Sequence, residues 1–170
     1  QDLAGAGYDV VIVATGGVPQ GRDIPGGQHF IEGWDVISGA RRMSGRVLVF
    51  DDHGGNQALD VAEALVAQGC DVEVVTPERL VAADVGGMVA SRYFTSLSEA
   101  GVRFTVLRLV TSIARNSDDT FTVALGMEDQ DWTEQRIVDG VVLEAGTSAV
   151  SEVYDELVSL SSNGGEVDVA

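Results

Sequence analysis

Cysteine is almost missing from this sequence: Cys70 is the single one in 170 residues. A lone thiol closes no internal disulfide, and it cannot by itself build a zinc or iron–sulfur centre. Set between Gly69 and Asp71 ahead of an apolar run, it reads as a small packing residue. The chain suits a reducing, cytoplasmic compartment. Proline is also scarce, with 3 residues against 21 glycines. That balance fits Gly-rich loops between compact elements rather than a disordered tail. Cations are few: 10 Lys and Arg face 27 Asp and Glu, for a formal net charge of −17. Such a chain does not pair with nucleic-acid phosphates or an anionic membrane, and its acidity reads as a solvated surface. The 2 histidines, His29 and His53, have no metal-ligand spacing. No serine sits in a nucleophile elbow, and the acidic residues near 128–134 lack the order of a calcium loop. These absences argue against a self-contained hydrolase or metalloenzyme. No apolar run reaches the length of a membrane span.

What is present is 45% hydrophobic content, enough for one ordinary core. Residues 10–13, "VVIV", form a continuous β-branched run that predicts a buried parallel strand. "ATGGVPQG" follows as a turn, residues 20–33 as a Gly-rich loop, and "GWDVISGARRM" as a short helix. "RVLVF" (46–50) predicts the next buried strand. Over 56–67, Ala58, Val61, Ala62 and Leu65 share one helical face, while Asp60 and Glu63 fall outside it. Gly69 is placed to cap that helix, and "VEVV" (72–75) predicts another strand. Residues 47–75 thus have the size of one βαβ unit. A helix over 88–99, stopped near Gly101, and the strand "RFTVL" continue the series.

After Val110 the period changes. "TSIARNSDDTFTVAL" holds two alternating segments around "NSDD", which predicts a hairpin. "EDQDWTEQ" reads as an acidic loop, and "IVDGVVLEAGTSAV" as a return to a buried strand and a Gly turn. The closing "LSSNGGEVDVA" reads as a linker or frayed end. "DVVIVATGGV" and "DGVVLEAGTSAV" echo each other, each running from an acidic residue through an apolar strand to a small-residue turn. The predicted fold class is α/β: a Rossmann-like three-layer domain with a parallel sheet and an added antiparallel β-hairpin, flanked by part of a second Rossmann-like domain.

Three stretches carry candidate chemistry. In "VIVATGG", Ala14, Thr15, Gly16 and Gly17 after a buried strand would let the backbone pass close to a flat or charged group; a tight turn needing Gly would use the same residues. In "VLVFDDHGGNQALDVAEAL" a strand runs into a helix, whose free N–H groups suit a pyrophosphate. Gly54 and Gly55 would allow close approach, Asn56 would cap the helix, and His53 could meet a phosphate oxygen. Asp51 and Asp52 oppose an anion unless they turn away or accept N–H bonds. The strict G-x-G-x-x-G pattern is absent, which counts against NAD(P)H as a hydride donor. In "VVTPERL", Thr76 stands where an acid usually holds ribose, and Arg79 could stack on an adenine or meet a phosphate; ordinary loop polarity explains both equally simply. Trp34 and Trp132 read as packing or interface residues.

The order "DVVIVATGGVP", "GWDVISG", "GRVLVFDDHGGNQALDVAEALVAQGCDVEVVTPE", hairpin and "DGVVLEAGT" covers most of the chain. It resembles the C-terminal nucleotide-binding region of the NADH:flavin oxidoreductases related to trimethylamine dehydrogenase, histamine dehydrogenase and 2,4-dienoyl-CoA reductase. The resemblance implies an N-terminal flavin barrel with FMN and a 4Fe-4S cluster outside this chain. It also implies two Rossmann-like domains, one FAD-like (residues 1–44 and 136–170) and one NAD(P)/ADP-binding-like and inserted (45–135). "DDHGGNQAL" is closer to the amine dehydrogenase branch than to the NADPH-using reductases. That branch implies a bound adenine nucleotide, such as ADP, that donates no hydride. The expectation is therefore a piece of a longer amine or N-methyl compound dehydrogenase, inactive alone. An NAD(P)H-binding domain of an enoate reductase and a structural module without ligand are the alternatives. A sheet edge left unpaired by the missing domain would favour association between copies.

Overall fold

The structure is a computed structural model that describes residues 8–160. It divides into two compact units. One contains, of the described residues, 8–18 and 147–160; the other is Pro19–Gly146.

In the first unit, strand β1 (Gly17–Pro19, its last residue counted with the other unit) pairs with β10 (Thr147–Ala149). A short helix, α4 (Glu152–Leu157), and a 3-10 turn follow. The expected buried strand over 10–13 is not there. Those residues form no ladder, and Val10 and Ile12 are 76% and 86% exposed. The β-branched run has strand character, but a parallel strand forms only between hydrogen-bonding neighbours, and no described strand pairs with it. The expected tail from 161 onward lies outside the described residues.

The second unit is built on a parallel sheet. Its strands are β2 (Ile31–Glu32), β3 (Arg46–Asp51), β4 (Asp71–Val75), β5 (Arg103–Thr105) and β9 (Gly140–Glu144), in the order β2-β9-β3-β4-β5. All four pairings are parallel. Helices α1 (Gly33–Ile37), α2 (Gln57–Ala67) and α3 (Gly87–Glu99) connect them. From β3 the chain steps outward to β4 and β5, then returns to place β9 on the other side of β3. That reversal is the topological switch point of a doubly wound sheet, where ligands of such folds bind.

The alternation of β3 builds both faces. Val47 and Val49 join a core with Ala58, Val61, Ala62 and Leu65 of α2. Leu48 and Phe50 face the opposite core, with Val123 and Leu125. That second layer is an antiparallel sheet of β6 (Leu109–Arg115), β7 (Phe121–Met127) and β8 (Gln130–Val138). The hairpin read around "NSDD" is β6–β7. The residues read as an acidic loop are instead most of β8. Their inward positions are only partly apolar: Trp132, Glu134 and Arg136 alternate with more exposed neighbours. Arg136 donates to the buried Glu73 of β4 at 2.9 Å, and Thr105 donates to the same carboxylate at 2.7 Å. A charged pair, rather than an apolar stripe, therefore holds part of one sheet on the other.

Both long helices end as the glycines foretell. Gly69 has φ +85°, its N–H bonds Val66 O, and Cys70 N–H bonds Leu65 O. Gly101 repeats the arrangement with Ser98 and Leu97. These paired bonds satisfy the last carbonyls of each helix, with Val102 packing in the same core as Leu97. Among the described residues no helix is long and apolar enough to cross a membrane.

Candidate functional site

The switch point lies at the carboxyl ends of β3 and β9, beside the start of α2. Asp51 closes β3 and is fully buried. Its Oδ1 accepts the N–H of Gly54 at 2.9 Å and that of His53 at 3.3 Å. Successive N–H groups turned inward in this way form a nest for an anion. Here the anion is the protein's own carboxylate. The left-handed φ of Gly54, +79°, lets the loop fold back on Asp51, and Gly54 O accepts the N–H of Asp84 at 3.0 Å, tying the loop to the segment after β4.

The helix start is covered as well. A Cβ on Gly55 would overlap Gln57 Oε1, which is buried and has no hydrogen-bond partner. Asn56 occupies the cap position by backbone, but its side chain makes no cap bond; its Nδ2 donates to Asp60 at 2.8 Å instead. The expected Asn56 cap is therefore absent: the residue takes helical backbone angles rather than the extended ones of a capping residue, and Asp60 holds its amide by the nitrogen. Asp52 turns away from the nest and pairs with Arg22, while its N–H donates to Glu144 O at 2.8 Å. The exposed His53 ring lies over Gly146, where a Cβ would stand 2.9 Å from Nδ1.

Negative charge collects at this edge. Glu144, at the end of β9, is the register partner of Asp51 and is 5% exposed. Burial pushes the Asp51 carboxyl above its ordinary value, against the opposing Gly54, His53 and Ala82 N–H groups and the His53 charge. Burial likewise raises Glu144; the Gly146 N–H and His53 oppose this, and the charges of Asp51 and Glu32 add to it. Glu32 is raised by burial and by Asp35. A dinucleotide pyrophosphate does not fit these residues. The His53 and Gly54 N–H groups are already taken by Asp51, Gln57 lies over Gly55, and two acids, Asp51 and Asp52, stand where the glycine fingerprint would open.

The other expected residues are placed as follows. Thr76 is buried and accepts the N–H of Glu78 at 3.2 Å, so its hydroxyl serves its own turn. Arg79 is exposed, with no hydrogen bond or ion pair found among the described residues. Ala14, Thr15, Gly16 and Gly17 belong to the first unit. Gly16 takes φ +72° with open space where a Cβ would stand. Gly17 is small for a different reason: its Cβ would lie 2.6 Å from Ser148 O, so close approach there serves β10. Glu144, Glu32 and Arg22 escaped the sequence reading. The available signal was that "VVLE" ends in an acid as "LVFD" does, on the strand that turns out to be its neighbour.

Comparison with known proteins agrees with this architecture. The family pattern for pyridine nucleotide-disulphide oxidoreductases matches residues 2–169. The chain is 36% identical over 160 residues to the probable N-methylproline demethylase of Rhizobium meliloti (strain 1021), covering 94% of this chain and 24% of that protein. It is 32% identical over 169 residues to the N,N-dimethylglycine/sarcosine dehydrogenase of Chromohalobacter salexigens, covering 95% and 24%. The chain thus spans about a quarter of the length of these curated relatives. Among solved structures, 6-hydroxypseudooxynicotine amine oxidase from Pseudomonas geniculata N1 superimposes with a TM-score of 0.80 at 28% identity, over 96% of this chain and 25% of that one. Histamine dehydrogenase from Rhizobium sp. 4-9 shares the fold, with a TM-score of 0.69 at 20% identity over 86% of this chain and 24% of that one. With a doubly wound parallel sheet and a family match along nearly its whole length, the chain belongs to the pyridine nucleotide-disulphide oxidoreductase family.

Proposed function

We propose that this chain is the nucleotide-domain region of a larger flavoprotein oxidoreductase of amines or N-methyl compounds, and that its β3–α2 crevice does not deliver hydride from NAD(P)H. The observation that carries the second half is the 2.9 Å bond from Gly54 N–H to Asp51 Oδ1, which fills the pyrophosphate position from within. The first half is supported by two relatives named for N-methyl amine chemistry, each at least 32% identical over most of this chain. FMN and a 4Fe-4S cluster, in this reading, belong to a flavin barrel outside the chain, which is this region's partner.

The two-domain plan is kept, with its borders drawn near 19 and 146 rather than 45 and 135. The placement of β2 and β9 in the same sheet as β3 supports those borders. The flanks then belong to the FAD-like domain, with Ala14, Thr15, Gly16 and Gly17 as its turn. The open space at Gly16 suits a nucleotide there. In Pro19–Gly146, an adenine nucleotide would be held by Arg79 rather than by residues 51–56. The exposed guanidinium of Arg79 is free to stack on a base.

Calorimetric titration of the chain with ADP, NADH and NADPH tests the reading. The expected result is no tight NADH or NADPH binding, and any ADP binding weakened by Arg79→Ala. Micromolar NADPH binding, or amine-independent NADPH oxidation by the longer protein, would instead favour an enoate-reductase role. No binding of any nucleotide would leave a domain that completes the fold without a ligand.

A further inference from the structure

A cavity of 350 Å³ opens beside the filled nest, within Pro19–Gly146. It is lined by Gly33, Trp34 and Ile37 of α1, Ser38 at its end, Gln57 and Asp60 of α2, and Glu144 at the end of β9. Its charge is of one sign. Glu144 is nine-tenths buried, and only its Oε1 takes a hydrogen bond, a long one of 3.3 Å from Gly146 N–H. Oε2 takes none and stands over Gly33, 2.8 Å from where a Cβ on that glycine would be. The missing side chain at Gly33 therefore leaves the carboxylate open to the cavity. Gln57 Oε1 is a second buried acceptor without a donor.

Asp60 is held in place by Tyr93 Oη–H at 2.5 Å and Asn56 Nδ2 at 2.8 Å, both uncharged donors. Among the described residues no Lys, Arg or His lines the cavity. Among the described residues two carboxylates thus line one space without a cation, and burying the uncompensated charge of Glu144 is costly. Burial raises the Glu144 carboxyl, and the neighbouring charges of Asp51 and Glu32 add to it. The remaining walls are the Trp34 indole, 45% exposed, Ile37, and Ser38, whose hydroxyl donates to Asp35 O at 3.3 Å. Among the described residues no group of three or more His, Cys, Asp or Glu is arranged to hold a metal ion. An indole wall beside a carboxylate instead suits an organic cation, whose N–H groups need acceptors and whose methyl groups need an apolar face.

We propose that this cavity binds a small alkylammonium ion, with Glu144 Oε2 as its counter-charge and the Trp34 indole as its apolar wall. The site consists of this chain's own residues and does not rest on the amine chemistry proposed for the longer protein.

The test is titration of the chain with dimethylammonium chloride, followed by calorimetry and tryptophan fluorescence, with sodium chloride at equal ionic strength as control. Saturable binding is expected with dimethylammonium and not with sodium. Glu144→Gln is expected to weaken it about tenfold or more, the scale of a hydrogen bond to a charged group. Trp34→Phe is expected to abolish the fluorescence response and weaken binding about threefold, the scale of an exposed cation–π contact. A response no different from that to sodium chloride overturns the proposal, as does undiminished affinity in Glu144→Gln. If Glu144→Gln does not fold, as judged by circular dichroism, Trp34→Ala decides: weakened binding supports the site and undiminished binding overturns it.

Discussion

Asp51 and Glu144 end two adjacent parallel strands as register partners, both buried and, among the described residues, neither in an ion pair. Their carboxyls titrate above the ordinary range because burial penalises the charged form. A folded-state pKa above the unfolded one means that the folded state holds the proton more tightly. The stabilisation is complete below the unfolded value and is lost as pH rises through the folded value.

Asp51→Asn keeps an oxygen for the Gly54 and His53 N–H groups and removes the charge. Its stability relative to wild type is expected to grow from about pH 4, the ordinary carboxylate value, upward through the raised folded values. At neutral pH the variant should be the more stable of the two, because burial no longer penalises a charge there. Urea unfolding of both proteins at a series of pH values measures it. A constant difference across the series would contradict the burial argument.

Asp51→Ala should act in the opposite direction. It strands two inward-facing N–H groups, at a cost of about 1–3 kcal/mol for each group left unsatisfied. The Asn and Ala variants are compared by thermal unfolding at pH 7. Equal melting temperatures would mean that the nest bonds at 2.9 Å and 3.3 Å contribute nothing.

Arg136→Met removes the guanidinium from Glu73, which is 3% exposed. A buried carboxylate left without its partner costs about 3–5 kcal/mol. The lower end is expected, because Arg103 remains 3.6 Å away and Thr105 still donates. Replacing both members, Glu73→Leu with Arg136→Met, should recover most of the loss. Denaturant midpoints of the single and double variants decide it; equal losses would show that the charge was not what mattered.

Two glycines with similar backbone angles should differ sharply. Gly26 has φ +82°, and a Cβ there would overlap the Ile113 carbonyl; Gly39 has φ +76° and open space around it. Gly39→Ala is expected to cost about 1–2 kcal/mol of left-handed strain. Gly26→Ala adds a collision with backbone and should cost several times more or prevent folding. Expression and thermal unfolding of the pair check this, and equal effects would contradict the close packing of the 20–30 loop on β6.

The parallel framework was readable because its signals are local. The apolar run of β3, the 3.6-residue pattern of α2 and the glycines at 69 and 101 each report burial or backbone angle within a few residues of themselves. The same signal misled at 10–13, where β-branched residues lack the neighbouring strands that would make them a buried strand. It was silent over β8, whose inward face carries Glu134 and Arg136 where a strand detector expects apolar residues. Arg136 is in place because Glu73, far away in the chain, faces it.

The candidate site divides along the same line. Asp51 and Asp52 were visible as misfits in a nucleotide turn, since charge and missing glycines are properties of one short stretch. Whether they repel a phosphate, replace it or turn away depends on where each carboxylate points. Folding assigned Asp51 to the nest and Asp52 to Arg22. It also brought Glu144 beside Asp51 and put it on one cavity with Trp34, which read as a packing or interface residue. Chain order carries local periodicity and turn chemistry. Charge compensation arises only when distant segments pair, so the occupied nest and the acidic cavity are products of the tertiary structure.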